Sequence, residues 1–295
     1  MPSMQPKYWD YLAWSFTRHR TYETCPRQYW FNYVGKWDAE VPSSQRSQLW
    51  DTKEHESLAF LRGKIVHDKI EEILPSLVAR VQVNEDDVLS SATERVEEWR
   101  ARGPASIVEY RNGVPFSDAT LDRMRTEIIE QLSTFLHVVW PELKEMEYVQ
   151  HEKFDRFRLD DIPVTVKLDC VMRVPGGPHL LIDWKTGNDD DRYEGRLQLS
   201  AYAAWAASQL GVDLDQARVQ LVFLKSARRK ELSITGADLE RTRRTIASDW
   251  SEFSAPRSYE AYPPRPDSRT CTSCRFAKLC PDARLTLMIE EGEDD

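Results

Sequence analysis

The placement of cysteines limits the topology of this chain more than any other feature. Three of the 5 cysteines form Cys271-x-x-Cys274-x-x-x-x-x-Cys280, and another, Cys25, lies near the opposite end of the 295 residues. The opening Met-Pro-Ser-Met-Gln-Pro-Lys-Tyr-Trp-Asp has no apolar core between basic residues and a small-residue cleavage site, so a cytoplasmic protein is expected. In that compartment thiols stay reduced, and the spacing points to metal rather than disulfides. Cys25 supplies a fourth ligand if the first helix returns to the C-terminal segment. The segment 263–282 would then close onto Cys25, and loss of the metal should loosen the termini. Tetrahedral zinc suits four thiolates. So does an iron–sulfur cluster, and both Cys25 and Cys280 precede a proline, as cluster cysteines of ferredoxins do. Cys170 is left over and reads as a small buried thiol.

Hydrophobic periodicity changes once along the chain. Ser15 is placed to cap a helix over 17–34 that carries Tyr22, Tyr29 and Tyr33, and a connector over 38–53 follows. A second helix over 59–80, interrupted near Pro75, carries His67 one turn after Gly63. Two charged helical stretches then form an expected insertion over 85–145. From Tyr148 the period becomes that of strands, over 149–159, 164–174 and 179–185, with Gly176-Gly177 turning between the last two. A helix over 197–210, strands over 219–224 and 231–234, and a helix over 237–253 complete an α/β core. The whole chain reads as one domain ending in an acidic tail, 289–295, which is expected to be disordered.

The chemistry concentrates on the strands. Asp169 lies in Val-Lys-Leu-Asp-Cys-Val, and Asp183 closes Leu-Leu-Ile-Asp-Trp-Lys. Paired strands can bring both carboxylates to one Mg2+ or Mn2+, which prefer hard oxygen ligands. Lys185, two residues beyond Asp183, leaves the same face of the sheet. A metal that activates water and an ammonium that offsets phosphate charge are what phosphodiester hydrolysis needs. Glu152, on the first strand, is a further carboxylate that could approach this centre.

These residues resemble the PD-(D/E)XK nuclease superfamily, in particular its RecB-like branch, which includes AddB-type helicase–nuclease subunits and CRISPR-associated exonucleases. The likeness runs from Ser15 to Pro281 but omits the helices between about 85 and 145. It implies a restriction-endonuclease-like central mixed sheet flanked by helices, with the helical insertion and the C-terminal cysteine cluster added. It implies metal ligation by His67, Asp169, Asp183 and the Trp184 carbonyl, with Lys185 as catalytic lysine and Gln198 and Tyr202 as the Gln-x-x-x-Tyr helix beside the site. It also implies a [4Fe–4S] cluster on Cys25, Cys271, Cys274 and Cys280, with zinc as the rival metal. The expected function is a Mg2+- or Mn2+-dependent deoxyribonuclease, an exonuclease on DNA ends or single strands in recombination, repair or defence. Alternatives are a DNA-binding scaffold subunit of a helicase–nuclease complex and a duplex endonuclease on the same fold.

Charge refines the choice of partner. The net charge of -9 argues against a uniformly basic coat for nucleic acid. Local clusters remain: Arg18, Arg20 and Arg27 among Tyr22, Tyr29, Trp30 and Tyr33, then Lys225, Arg228, Arg229 and Lys230, then Arg241, Arg243 and Arg244. They read as an electrostatic groove with stacking rings or, more commonly, as solvated helix faces. DNA is the expected partner, with a helicase or other protein beside it. No run approaches the roughly 18 apolar residues of a membrane helix.

Overall fold

The computed structural model describes residues 8, 11–188 and 195–288, without the side chains of 152 and 153. The tail 289–295 and the Glu152 carboxylate therefore lie outside the described residues.

Ser15 is extended, accepts a hydrogen bond from the Arg18 amide at 3.2 Å, and starts α1 (Phe16–Thr24). The helix expected over 17–34 is broken at Cys25, whose φ of -158° and ψ of 106° follow from the proline after it, because proline excludes its predecessor from the helical region. Pro26 then opens α2 (Pro26–Tyr29), which continues into a π-helical turn, Trp30–Val34. The connector expected over 38–53 contains a helix, α3 (Ser43–Asp51), which holds no Gly or Pro. Helix α4 (Leu58–Val78) runs through Pro75 without interruption. Pro75 sits one turn from the helix end, so it removes a single ladder bond, and its carbonyl still accepts from the Ala79 amide at 3.0 Å. Next come α5 (Glu85–Arg102), α6 (Val108–Arg111), α7 (Asp118–Thr134) and α8 (Trp140–Leu143).

Strands β1 (Glu147–Leu159) and β2 (Ile162–Arg173) form a hairpin in which Leu159 faces Ile162. Its two turn residues, Asp160 and Asp161, take φ of 48° and 64°, the left-handed pair of a tight hairpin that Asp tolerates. Gly176, at φ 68°, turns the chain from β2 into β3 (His179–Lys185). Helix α9 (Arg196–Leu210) carries the chain across to β4 (Ala217–Phe223), parallel to β3, and β5 (Arg228–Ser233) returns antiparallel. A parallel neighbour requires such a crossover. The sheet order is β1-β2-β3-β4-β5, a mixed sheet flanked by helices. Helices α10 (Gly236–Phe253), α11 (Ser268–Thr272) and α12 (Pro281–Leu287) follow. No helix among the described residues is long and apolar enough to cross a membrane.

The chain forms two compact units. The sheet unit comprises Leu61–Glu98 and Ala119–Ser248, and the cysteine unit comprises Met1–Phe60, Trp99–Asp118 and Asp249–Asp295. The segment 85–145 is thus divided between them. In the sheet unit Leu180, Leu181, Ile182, Val219, Leu221 and Val222 are buried, the near-continuous apolar run of strands covered on both faces. Helix α9 is buried on every side from Leu199 to Ala206.

The cysteine unit is held by aromatic packing. Tyr29 stacks on Phe253 with centroids 4.6 Å apart and meets Tyr22 edge-on at 5.4 Å, while Phe31 stacks on Phe276 at 5.2 Å. Each fully buried ring of this size contributes about 1.5–3 kcal/mol. Arg27 is buried over the Tyr259 ring at 3.5 Å and donates from Nε to the Tyr262 carbonyl at 2.7 Å. The groove of stacking rings is therefore corrected: Tyr29 and Trp30 are core residues, with no face open to a base.

Candidate active site

Within the sheet unit, β2 and β3 pair from Arg173↔His179 to Cys170↔Ile182. Continuing that register sets Asp169 opposite Asp183, where the ladder gives way to a side chain: the Trp184 amide donates to Asp169 Oδ2 at 2.7 Å. Both carboxylates are buried, Asp169 at 6% and Asp183 at 4% exposure. Two carboxylates facing one another out of water are costly unless cations or donors compensate them. Compensation comes from two helices and one strand end.

From β3 itself, Lys185 Nζ stands 2.5 Å from Asp183 Oδ2. This ion pair lacks hydrogen-bond geometry, so Oδ2 is buried with no hydrogen-bond donor. From α4, His67 Nδ1 lies 3.2 Å from Asp169 Oδ1. Gly63, one turn earlier, lets α4 approach the end of β3: a Cβ there would meet Thr186 Oγ1 at 3.1 Å. From α9, Gln198 and Tyr202 face the same carboxylate. Gln198 Nε2 donates to Asp183 Oδ1 at 3.3 Å and to Tyr202 Oη at 2.7 Å, and Gln198 Oε1 accepts from Lys185 Nζ at 3.4 Å. The Tyr202 hydroxyl lies within donating distance of Asp183 Oδ1, 3.1 Å, and of the Lys167 carbonyl, 2.9 Å. Burial first, and then the charges of Asp183 and Asp169, push the Tyr202 pKa well above its ordinary value, so this hydroxyl keeps its proton.

Trp184 points to the other face, where its ring meets Phe135, in the π-helical turn Phe135–Val139 that follows α7, edge-on at 5.4 Å. Gln131 of α7 donates to the Thr186 carbonyl at 3.3 Å. Gln131, Thr186 and the Lys167 carbonyl support the site but carry no motif of their own, so a sequence reading misses them. The structure thus brings His67, Asp169, Asp183, Lys185, Gln198 and Tyr202 into one linked network. Among the described residues, no three His, Cys, Asp or Glu side chains already stand in a metal-holding arrangement. The donor set nevertheless suits a hard divalent ion: two buried carboxylates, one with an oxygen that accepts no hydrogen bond, and an adjacent imidazole.

The cysteine unit has a second centre. Cys25, Cys271, Cys274 and Cys280 line one small pocket with Phe31, Pro264 and Pro266, and all four are free thiols. Burial raises the thiol pKa of Cys271 and Cys280 and pushes that of Cys274 up to about 12, and nearby cysteine sulfurs add to the rise at Cys271 and Cys274. Main-chain hydrogen bonds oppose that rise, at Phe276 for Cys274 and at Asp282 and Ala283 for Cys280. The Arg265 amide donates to Cys25 Sγ at 3.5 Å. Clustered thiols with amide donors fit a thiolate-bound metal, since a cation replaces the protons that burial otherwise retains. Asn112 was not foreseen: its Nδ2 bridges the carbonyls of Cys271 at 3.3 Å, Thr272 at 2.9 Å and Cys274 at 3.0 Å, fixing the turn between two of the cysteines. Cys170 is fully buried in the sheet, and burial raises its pKa.

Comparison with known proteins places this arrangement in context. A family model described as the PD-(D/E)XK nuclease superfamily matches residues 13–281. No curated protein sequence matches the chain. Among solved structures, the chain is similar to a Eubacterium rectale protein described as a candidate exonuclease, at 12% identity and a TM-score of 0.43, covering 95% of this chain and 94% of that one. It is also similar to a protein designated SSO0001, at 14% identity and a TM-score of 0.33, covering 74% of this chain and 95% of that one.

Proposed function

The chain belongs to the PD-(D/E)XK nuclease superfamily, and from that premise we propose that it is a Mg2+- or Mn2+-dependent deoxyribonuclease, acting as an exonuclease on DNA ends or single strands. The observation that carries the reading is the buried Asp169–Asp183 pair, with Asp183 Oδ2 ion-paired to Lys185 and accepting no hydrogen bond. His67, Asp169, Asp183 and the Trp184 carbonyl would hold the ion. When bound, it supplies a Lewis acid that activates water and offsets charge on the phosphate. Tyr202 and Gln198 hold Asp183 by its other oxygen, Oδ1, and so fix the carboxylate's orientation. Gln198 also holds the Lys185 ammonium, whose role is to orient the attacking water and stabilise negative charge in the transition state. Neutral Tyr202 adds a donor without adding charge. A setting in recombination, repair or defence, alongside a helicase or other protein, is part of this proposal and rests on the resemblance of the motifs to the RecB-like branch.

The four cysteines we assign to a [4Fe–4S] cluster that closes the cysteine unit. Support comes from their shared pocket and from the prolines after Cys25 and Cys280. Anaerobically purified protein should be brown and contain iron; colourless protein with stoichiometric zinc overturns this assignment. Activity is tested by incubating wild type, Asp183→Asn and Lys185→Ala with end-labelled single- and double-stranded DNA and Mn2+. Wild type should cut and both variants should not. An inactive wild type, or variants that cut equally well, defeats the catalytic assignment, and circular against linear DNA separates endonuclease from exonuclease.

A further inference from the structure

Two lysines in the cysteine unit lie against each other in a chain whose net charge is -9. The charge of Lys53 acts on Lys36, and neither lysine forms an ion pair with a carboxylate among the described residues. Both are held over one indole. Lys53 Nζ lies 3.9 Å and Lys36 Nζ 4.8 Å from the centroid of Trp50, which meets Trp37 edge-on at 5.3 Å. On Trp37 stacks Tyr11, with centroids 6.4 Å apart and planes 19° from parallel; Tyr11 is 68% exposed. The patch therefore has two parts: a cation pair braced on Trp50, and an aromatic stack whose outer ring faces solvent.

Crowding two ammoniums without an acid is unfavourable in the free chain, and an anion between them would relieve it. Burial first, and then the charges of Lys53, Arg18 and Arg275, lower the Lys36 pKa to about 8. A cation pair alone would suit any acidic partner. The exposed tyrosine adds a π-face, and single-stranded nucleic acid is the polymer that pairs a phosphate with a stackable base at each step.

We propose that Tyr11, Lys36, Trp37, Trp50 and Lys53 form a binding surface for single-stranded DNA, in which the lysines take a backbone phosphate and Tyr11 stacks on a base. This surface is distinct from the Asp169–Asp183 centre of the sheet unit. The inference rests on the nuclease reading for the class of polymer, and its test does not depend on cleavage. Binding of the full chain to fluorescent oligo(dT) is measured in EDTA over a range of salt, for wild type, Lys36→Gln/Lys53→Gln and Tyr11→Ala, with matching circular-dichroism melts as the check on folding.

The double variant should bind roughly tenfold more weakly and lose about 0.7 per lysine from the logarithmic salt slope. Tyr11→Ala should weaken binding about fivefold or more, with the slope unchanged. Equal affinity for wild type and both variants overturns the proposal. So does a polyglutamate peptide that competes as well as oligo(dT) while Tyr11→Ala leaves binding intact, an outcome that identifies an acidic protein surface instead. Failure here leaves the Asp183→Asn cleavage test untouched, and an inactive wild type would leave the binding result standing.

Discussion

In the sheet unit, Lys167, Asp169, Asp183, Lys185, Gln198 and Tyr202 come from one short run of chain, while His67 and Gln131 arrive from elsewhere. In the cysteine unit the thiols stand at 25 and at 271–280, and the side chain that bridges their turn, Asn112, belongs to a third segment. The first centre is positioned by a β-ladder and a crossover helix, both held by hydrogen bonds within the chain. The second depends on closing long loops, whose entropy a metal would offset. One site is thus preorganised by its fold, whereas the other helps to make the fold it sits in.

The largest expected effect falls on the cysteine unit. Cys274→Ser should abolish the metal content and remove on the order of 10 kcal/mol of metal-linked stability, leaving that unit unfolded. Hydrogen exchange followed by mass spectrometry should find lost protection in α1, α2 and α11, while the β2, β3 and β4 amides stay protected. Equal loss in the sheet would break the comparison. Next, Asp183→Asn should lower kcat/KM roughly 10³-fold with no loss of melting temperature, because it removes a buried charge along with the chemistry. A destabilised variant would mean that the carboxylate is structural after all.

Tyr202→Phe should cost roughly tenfold in kcat, since it removes the O–H donor, of about 1–3 kcal/mol, that lies within reach of Asp183 Oδ1. Restoring activity by raising the metal concentration would show that the hydroxyl acts on ion affinity. The smallest effect concerns Lys36. Its pKa of about 8 when folded lies below the ordinary 10.5, so folding favours the neutral form, and its contribution to stability rises with pH between those values. A phosphate would favour the charged form, so affinity for oligo(dT) should fall as pH rises through about 8. Lys36→Gln should flatten that dependence in a fluorescence titration.

Several elements were legible because their causes are local. Ser15 caps α1 as expected, Gly176 turns the chain between β2 and β3, and the alternation along Val164–Asp169 marks a strand. The spacing of Asp183 and Lys185 places both on one face wherever that strand lies. Pro26 was equally local, yet its effect on Cys25 was missed, and with it the break that ends α1. Pro75 misled in the other direction, because a proline one turn from a helix end costs only one bond.

The sequence by itself determined the period of each element, the identity of the ligand-type residues and the family motifs they belong to. The tertiary structure decided which partners those residues meet. Only the β2–β3 register sets Asp169 against Asp183, and only the α9 crossover brings Tyr202 and Gln198 to Asp183 Oδ1. Tyr29 became core rather than a stacking platform because Phe253 and Tyr262 pack on it, and Lys36 meets Lys53 because Trp50 braces both. The physical reason is common to all these cases. Backbone preferences are fixed by near neighbours in sequence, whereas burial, charge pairing and ring packing are summed over residues that only folding makes neighbours.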